Sequence, residues 1–338
     1  MGMNGENQQR APLMSLLDRR NRIGVAFGGG GARGLAHIGV LRALRAHPRW
    51  LPSVVAGTSA GSIVAALYAA GIPQERIESA ALEFNWFRHV IRLSQTVKAA
   101  GHRHRGGLIS NATLAETVNS LIGNIGFDDL TIDLAVVAAD LEHRRRVIFT
   151  SRRVAKRIRR RELERFLPAP AEGRPGCETL IISDYPDIGR AVQASCAVPG
   201  IFLPVKIRGM SLWDGGVVDQ VPVDVVRAMG ADFTFGVSLS LSFLPRRVGS
   251  ALAAMSAMIG VLGVHQLRRS LDLAEVGFQI PGIDRRSIID TGQSDLIDLG
   301  EQEMNARLRV LEQRPPIRRV SSRQRSVQQE SSKILASH

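Results

Sequence analysis

The 338-residue chain is 44% hydrophobic and 22% charged, proportions of a globular protein with one large α/β domain or two smaller ones. No apolar run reaches the ~18 residues of a spanning helix, residues 1–21 lack the apolar core of a secretory signal, and Cys177 and Cys196 form neither a disulfide framework nor a metal-ligand pattern. The net charge of +13 is local: residues 142–165 hold eleven Lys/Arg against three acids and residues 314–338 six against one, so the body is neutral rather than uniformly basic.

In chain order, residues 1–21 read as a poorly ordered leader. A strand over 22–27 runs into Gly28-Gly29-Gly30-Gly31-Ala32-Arg33-Gly34, and a helix follows over 33–46. A second strand, 53–56, ends in Gly57-Thr58-Ser59-Ala60-Gly61 and leads into a helix over 60–70. Helices over 74–84 and 111–122 precede strands at 133–139 and 145–150. Residues 151–186, basic at first and then rich in Pro and Gly, read as an insertion between core elements. A helix over 187–195, strands at 201–207 and 211–213, a helix over 222–229 and a strand at 233–239 come next, then helices over 248–272 and 294–311. This alternation predicts a three-layer α/β/α fold around a mostly parallel central sheet, spanning residues 22–312. Residues 313–338, rich in Ser, Gln and Arg, read as a disordered basic tail.

Ser59 sits where a strand turns sharply into a helix, flanked two residues either side by glycine. That is the setting in which a serine hydroxyl is exposed for nucleophilic attack. The first glycine turn can aim backbone N–H groups at the oxygen that becomes negative when an ester is attacked. A rival reading exists, because Gly29, Gly31 and Gly34 satisfy the dinucleotide-binding spacing. That motif expects a carboxylate about twenty residues on; residues 50–60 contain none, and the strand ends in Ser59 instead. A serine needs a base. His102, His104 and His143 are flanked by charge, His37 belongs to the helix after the glycine turn, His265 lies in an apolar stretch and His338 ends the tail, so none of these is a persuasive partner. Asp214, in Leu212-Trp213-Asp214-Gly215-Gly216 after a strand, is the better candidate, although an aspartate also simply opens turns.

The chain resembles the bacterial patatin-like phospholipases, hydrolases with a Ser–Asp dyad and no histidine. The resemblance runs from about 22 to 311 and rests on ordered stretches: the two glycine turns, Val137-Ala138-Ala139-Asp140-Leu141, Ala194-Ser195-Cys196-Ala197-Val198-Pro199-Gly200-Ile201-Phe202, and Trp213-Asp214-Gly215-Gly216-Val217. By position it implies Ser59 as nucleophile and Asp214 as base. It implies an oxyanion hole from the N–H groups of Gly29, Gly30 and Gly31, with Arg33 holding the loop, and neither metal nor cofactor. Two departures stand out: Gly28 replaces the acid that many members carry before the three glycines, and the basic segment over 151–186 is longer than expected.

The implied reaction is acyl transfer from a fatty ester to Ser59 and then to water, with Asp214 moving the proton. A dry wall, for which Trp213 and Phe202 are candidates, would raise the Asp214 pKa from its ordinary value of about 4 and make it a stronger base. The implied substrates are phospholipids or lysophospholipids; the alternative is a catalytically weak regulatory protein of the same fold that binds acyl chains. The basic residues over 144–161 and the tail suit peripheral contact with an anionic membrane, which would place the protein in the cytoplasm, at the inner membrane surface. No aromatic residues interleave the arginines, which argues against nucleic acid.

Overall fold

In the computed structural model, residues 22–83, 110–164, 176–239, 263, 266–280 and 293–313 are described; the leader over 1–21 and the tail beyond 313 lie outside them. The chain divides into a unit Asn21–Met304 and a second unit, Met1–Arg20 with Asn305–His338, whose described residues are the end of one helix, 305–313. The larger unit carries the sheet.

The elements are β1 (Ile23–Phe27), α1 (Leu35–Ala46), β2 (Val54–Thr58), α2 (Ala60–Ala69), α3 (Gln74–Glu83), α4 (Ala112–Ile122), β3 (Asp133–Asp140) and β4 (Arg145–Thr150). Next come α5 (Arg152–Ala155), α6 (Arg160–Glu164), β5 (Glu178–Ile182), α7 (Ile188–Ser195), β6 (Val205–Ile207) and β7 (Met210–Asp214). Last are α8 (Val223–Ala228), β8 (Phe233–Ser238), β9 (Val276–Gln279) and α9 (Gln293–Gln313), with helical residues 266–273 ahead of β9. Among the described residues, the nine strands form one sheet in the order β5-β4-β3-β2-β1-β8-β9, with β7 paired to β3 and to β6. The pairs β4–β5, β3–β2, β2–β1, β1–β8 and β8–β9 are parallel, whereas β3–β4, β3–β7 and β6–β7 are antiparallel.

Helices cover both faces, and the strand residues say so. Ala26, Val54, Ala56, Ala135 and Val137 form one buried cluster with Val223, Val225 and Val226 of α8. Side chains alternate along a strand, so Val25, Val55, Leu134 and Val136 point to the opposite face, and they too are buried. On that face Phe27 meets His37 of α1 edge-on, with ring centroids 5.1 Å apart. A strand buried on both sides reads as a near-continuous apolar run, which is why β1, β2 and β3 carry so few polar residues.

β3 is the element that assembles the site. It has eight residues against five in β2, so β2 fills only part of one edge. Pairing with β2 ends at Thr58↔Val137, and on the next residue of β3 the antiparallel β7 takes over at Ala138↔Asp214. β2 and β7 therefore meet end to end, one strand residue (about 3.3 Å of rise) apart in register. That is how positions far apart in sequence are brought together at 59 and 214.

Two sequence expectations change. Residues 151–186 are not simply an insertion: Glu178–Ile182 forms β5, paired to β4, and Val154 of α5 and Leu163 of α6 enter the core cluster. The apolar residues fall on two short helices broken over 156–159, which hid them from a search for one amphipathic stripe, and 165–175 lies outside the described residues. The strand expected over 201–207 shortens to Val205–Ile207, because Ile201 and Phe202 donate N–H bonds to the Val198 carbonyl in a turn. Of the helix expected over 248–272, residue 263 and residues 266–272 are described, and they are helical.

Candidate active site

Ser59 has φ 53° and ψ −127°, a region that a residue with a Cβ rarely occupies and that persists only where neighbours enforce it. The enforcing contacts are specific. The Ser59 N–H donates to Ser195 Oγ at 2.9 Å, and the Ser195 hydroxyl donates to the Val137 carbonyl at 2.5 Å. The Ser59 carbonyl accepts from the Ser62 hydroxyl at 2.6 Å and from the Ser62 N–H at 2.8 Å. Thr58 Oγ1 donates to the Asp219 carbonyl at 2.9 Å. Gly61 packs against the end of β1: a Cβ there would lie 2.2 Å from the Phe27 carbonyl oxygen, so the turn closes only around glycine.

Asp214 is buried at the end of β7, held by its own N–H to the Ala197 carbonyl at 2.9 Å. Its carboxylate accepts the Gly216 N–H at 2.8 Å and lies within hydrogen-bonding reach of the Ser59 hydroxyl. Burial pushes its pKa up from 3.8 to about 6, against the downward pull of those two donors. A carboxylate at that value is mostly ionised at neutral pH yet is a better proton acceptor than an exposed one. Trp213 does not supply the expected wall: as the preceding strand residue it faces the other side of the sheet.

The glycine turn divides by function of its N–H groups. The Gly28 N–H donates to the Val237 carbonyl at 3.0 Å and the Gly29 N–H to the Gln220 carbonyl at 3.1 Å. Gly29 is therefore corrected out of the expected oxyanion hole, since its donor is already committed. Among the described residues, the N–H groups of Gly30 and Gly31 have no protein acceptor. Gly31 has φ +59°, where a side chain would be strained. Arg33 is buried, and its Nε and backbone N–H both donate to the Gly30 carbonyl at 3.3 Å. Behind the turn, His37 Nε2–H donates to the Gly28 carbonyl at 2.8 Å; burial drives its pKa to about 4, so it is neutral and fixed as a support.

Sequence reasoning missed three contributors. Ser195 was visible only as part of a resembling stretch, although a serine on the buried side of an apolar helix signals a bonded hydroxyl. Gln220 brackets Gly29 with its carbonyl and with its amide nitrogen, 3.4 Å from the Gly29 carbonyl. Cys196, considered only for disulfide or metal spacing, lies within hydrogen-bonding reach of the Ser59 and Ser62 hydroxyls; burial, then the Asp214 charge, raises its pKa and keeps it a thiol.

The basic segment does not form one surface. In the β3–β4 register Arg145 lies opposite Asp140, at the Ser59 and Asp214 end of β3, whereas β4 ends at Thr150 opposite Ala135, about 16–17 Å away along the strand. Arg144 is exposed at the first end, Arg146 is wholly buried, and Arg153 and Arg157 at the other end pair with Asp133 at 2.9 and 2.5 Å.

A family model for patatin-like phospholipases matches residues 25–227. An uncharacterised NTE family protein of Mycobacterium tuberculosis (strain H37Rv) is 29% identical over 225 residues, 65% of this chain and 49% of that protein. Lysophospholipase NTE1 of Chaetomium globosum is 26% identical over 248 residues, 70% of this chain and 13% of that protein. The chain thus spans about half, or less, of the curated relatives that it matches. Solved structures with some similarity include VipD from Legionella pneumophila (TM-score 0.42, 15% identity, 86% of this chain and 67% of that one) and the type III effector ExoU (0.47, 16%, 87% and 54%). With its family match covering well over half of its length, the chain belongs to the patatin-like phospholipase family.

Proposed function

We propose that the chain cleaves fatty acyl esters of phospholipids or lysophospholipids by acyl transfer through Ser59, with Asp214 as the base. The observation that carries this reading is the placing of the Ser59 hydroxyl, by the end-to-end meeting of β2 and β7 on β3, within reach of a buried carboxylate whose pKa is raised to about 6, beside two uncommitted glycine N–H groups. Asp214 takes the hydroxyl proton as Oγ attacks the ester carbonyl, and the tetrahedral oxyanion settles on the N–H groups of Gly30 and Gly31. The proton then passes to the leaving alcohol, which departs. Water, deprotonated by the same carboxylate, attacks the acyl-enzyme carbonyl, and the fatty acid departs as the carboxyl returns that proton to the Ser59 oxygen. Oxyanion donors of this kind are worth about 10²–10³ in rate each. Lysophospholipids are the first substrates to try, since relatives of the chain carry the name lysophospholipase.

Peripheral contact with an anionic membrane is also part of the reading, narrowed to Arg144 and Arg145 at the dyad end of the sheet and to the tail. Each basic residue close to such a surface contributes about 1 kcal/mol. The direct experiment is release of palmitate from 1-palmitoyl-lysophosphatidylcholine, followed by mass spectrometry. Turnover by the wild type and none by Ser59→Ala is expected; equal release by both overturns the proposal.

A further inference from the structure

Behind the glycine turn lies an ionic cluster that the acyl-transfer steps do not use. Arg146, on β4, is wholly buried, and its Nη1 donates at 2.7 Å to Asp219 Oδ2 and at 2.7 Å to Asp224 Oδ2, two carboxylates that are equally inaccessible. Its Nε reaches Thr179 Oγ1 at 3.3 Å. Arg146 Nη2, Asp219 Oδ1 and Asp224 Oδ1 are buried without a partner. Such a cluster is a poor source of stability, because desolvating each ion costs several kcal/mol and well-packed apolar residues often do as well. Its effect has to be sought in what it holds still.

What it holds is the chain between the two aspartates. The Asp219 carbonyl accepts the Thr58 hydroxyl, one residue before Ser59. The Gln220 carbonyl accepts the Gly29 N–H, one residue before the two free oxyanion donors. Residues 219 and 220 thus touch both halves of the site from behind. We propose that Arg146, by gripping Asp219 and Asp224 together, is a positioning residue of the acyl-transfer site: it fixes residues 219–220, and through them the aim of the Gly30 and Gly31 N–H groups relative to Ser59. The inference rests on the reading of Ser59 as nucleophile.

Arg146→Met alone would leave two facing carboxyls in an apolar interior, so the test removes all three charges at once. In Arg146→Met/Asp219→Asn/Asp224→Asn, hydrolysis of p-nitrophenyl butyrate is expected to show kcat lowered by about 10²-fold, the worth of a misaimed oxyanion donor. KM should stay within about twofold of wild type, with a thermal midpoint within a few degrees. Arg146→Lys keeps the charge, but its shorter side chain draws the donor nitrogen back from the place where Nη1 serves both carboxylates and it lacks the Nε bond to Thr179; a roughly tenfold lower kcat at unchanged KM is expected. A folded triple variant with kcat near wild type overturns the proposal, as does a rise in KM alone. Should the triple variant not fold, Arg146→Lys decides: wild-type kcat refutes the positioning role. Ser59→Ala in the same assay separates the two levels, since full activity there removes the underlying reading, whereas an inactive Ser59→Ala beside an unaffected Arg146 series removes only this one.

Discussion

Replacing Asp214 by Asn should make the protein inactive and, above pH 6, more stable. The carboxyl titrates at about 6 in the folded chain against an ordinary 3.8, because burial penalises its charge. Between those values the folded state holds more protons than the unfolded one, so stability falls as pH rises, and the penalty is complete above the folded pKa. Its size is about 3 kcal/mol at pH 8 and about 1.5 kcal/mol at pH 5. Asn is neutral throughout and can still accept the Gly216 N–H through Oδ1. It gives up the bond from the Ser59 hydroxyl, worth about 1 kcal/mol. The expected net gain is therefore about 2 kcal/mol at pH 8, shrinking to about 0.5 kcal/mol at pH 5. For a domain of this size the first figure corresponds to roughly 3–4 °C in thermal midpoint. Urea unfolding at both pH values measures it, while kcat should drop by about 10³–10⁴, as when the acidic member of a serine triad becomes an amide. A gain identical at the two pH values, or a variant less stable at pH 8, would refute the claim that Asp214 is held ionised against burial.

The same carboxylate sets the acid limb of the rate profile: kcat/KM should climb about tenfold per pH unit up to roughly pH 6 and then level off, and a profile already flat at pH 5 contradicts the raised pKa. Ser195→Ala removes the acceptor of the Ser59 N–H and should lower stability by about 1–3 kcal/mol together with kcat; an unchanged melting temperature speaks against Ser195 as the brace of the turn. Gly31→Ala places a side chain at φ +59° and should cost about 10²-fold in kcat. Gly29→Ala, whose N–H serves Gln220 and whose Cβ would lie 3.1 Å from the end of the flexible Gln220 side chain and in ordinary contact, 3.4 Å, with the Ser59 Cβ, should cost less than tenfold. Equal losses at the two positions would return Gly29 to the oxyanion hole.

Much of this was readable from the chain because it is local. A strand, a glycine turn and a helix start lie within a dozen residues at Ser59, and apolar runs without alternation announce a sheet covered on both faces. Asp214 could be picked by its turn and by elimination of the histidines, but its meeting with Ser59 depends on β3 being longer than β2, a property of register that no single stretch displays. The Gly29 donor was misassigned for the same reason: its acceptor, the Gln220 carbonyl, is 191 residues away. β5 escaped notice because its five residues follow a Pro- and Gly-rich stretch, and the charge of 144–161 looked like one patch until β4 separated it to two ends of the sheet. Arg146, read as part of that solvated run, is among the most buried side chains of the molecule.

The most direct test of the Ser59–Asp214 pairing is covalent. An alkyl fluorophosphonate reacts preferentially with a serine whose hydroxyl is activated by a base beside an oxyanion site, and peptide mapping by mass spectrometry locates the adduct. Stoichiometric modification of Ser59 in the wild type, at least 10²-fold slower modification in Asp214→Asn and none in Ser59→Ala is the expected result. Modification at another residue, or an undiminished rate after Asp214→Asn, would contradict it.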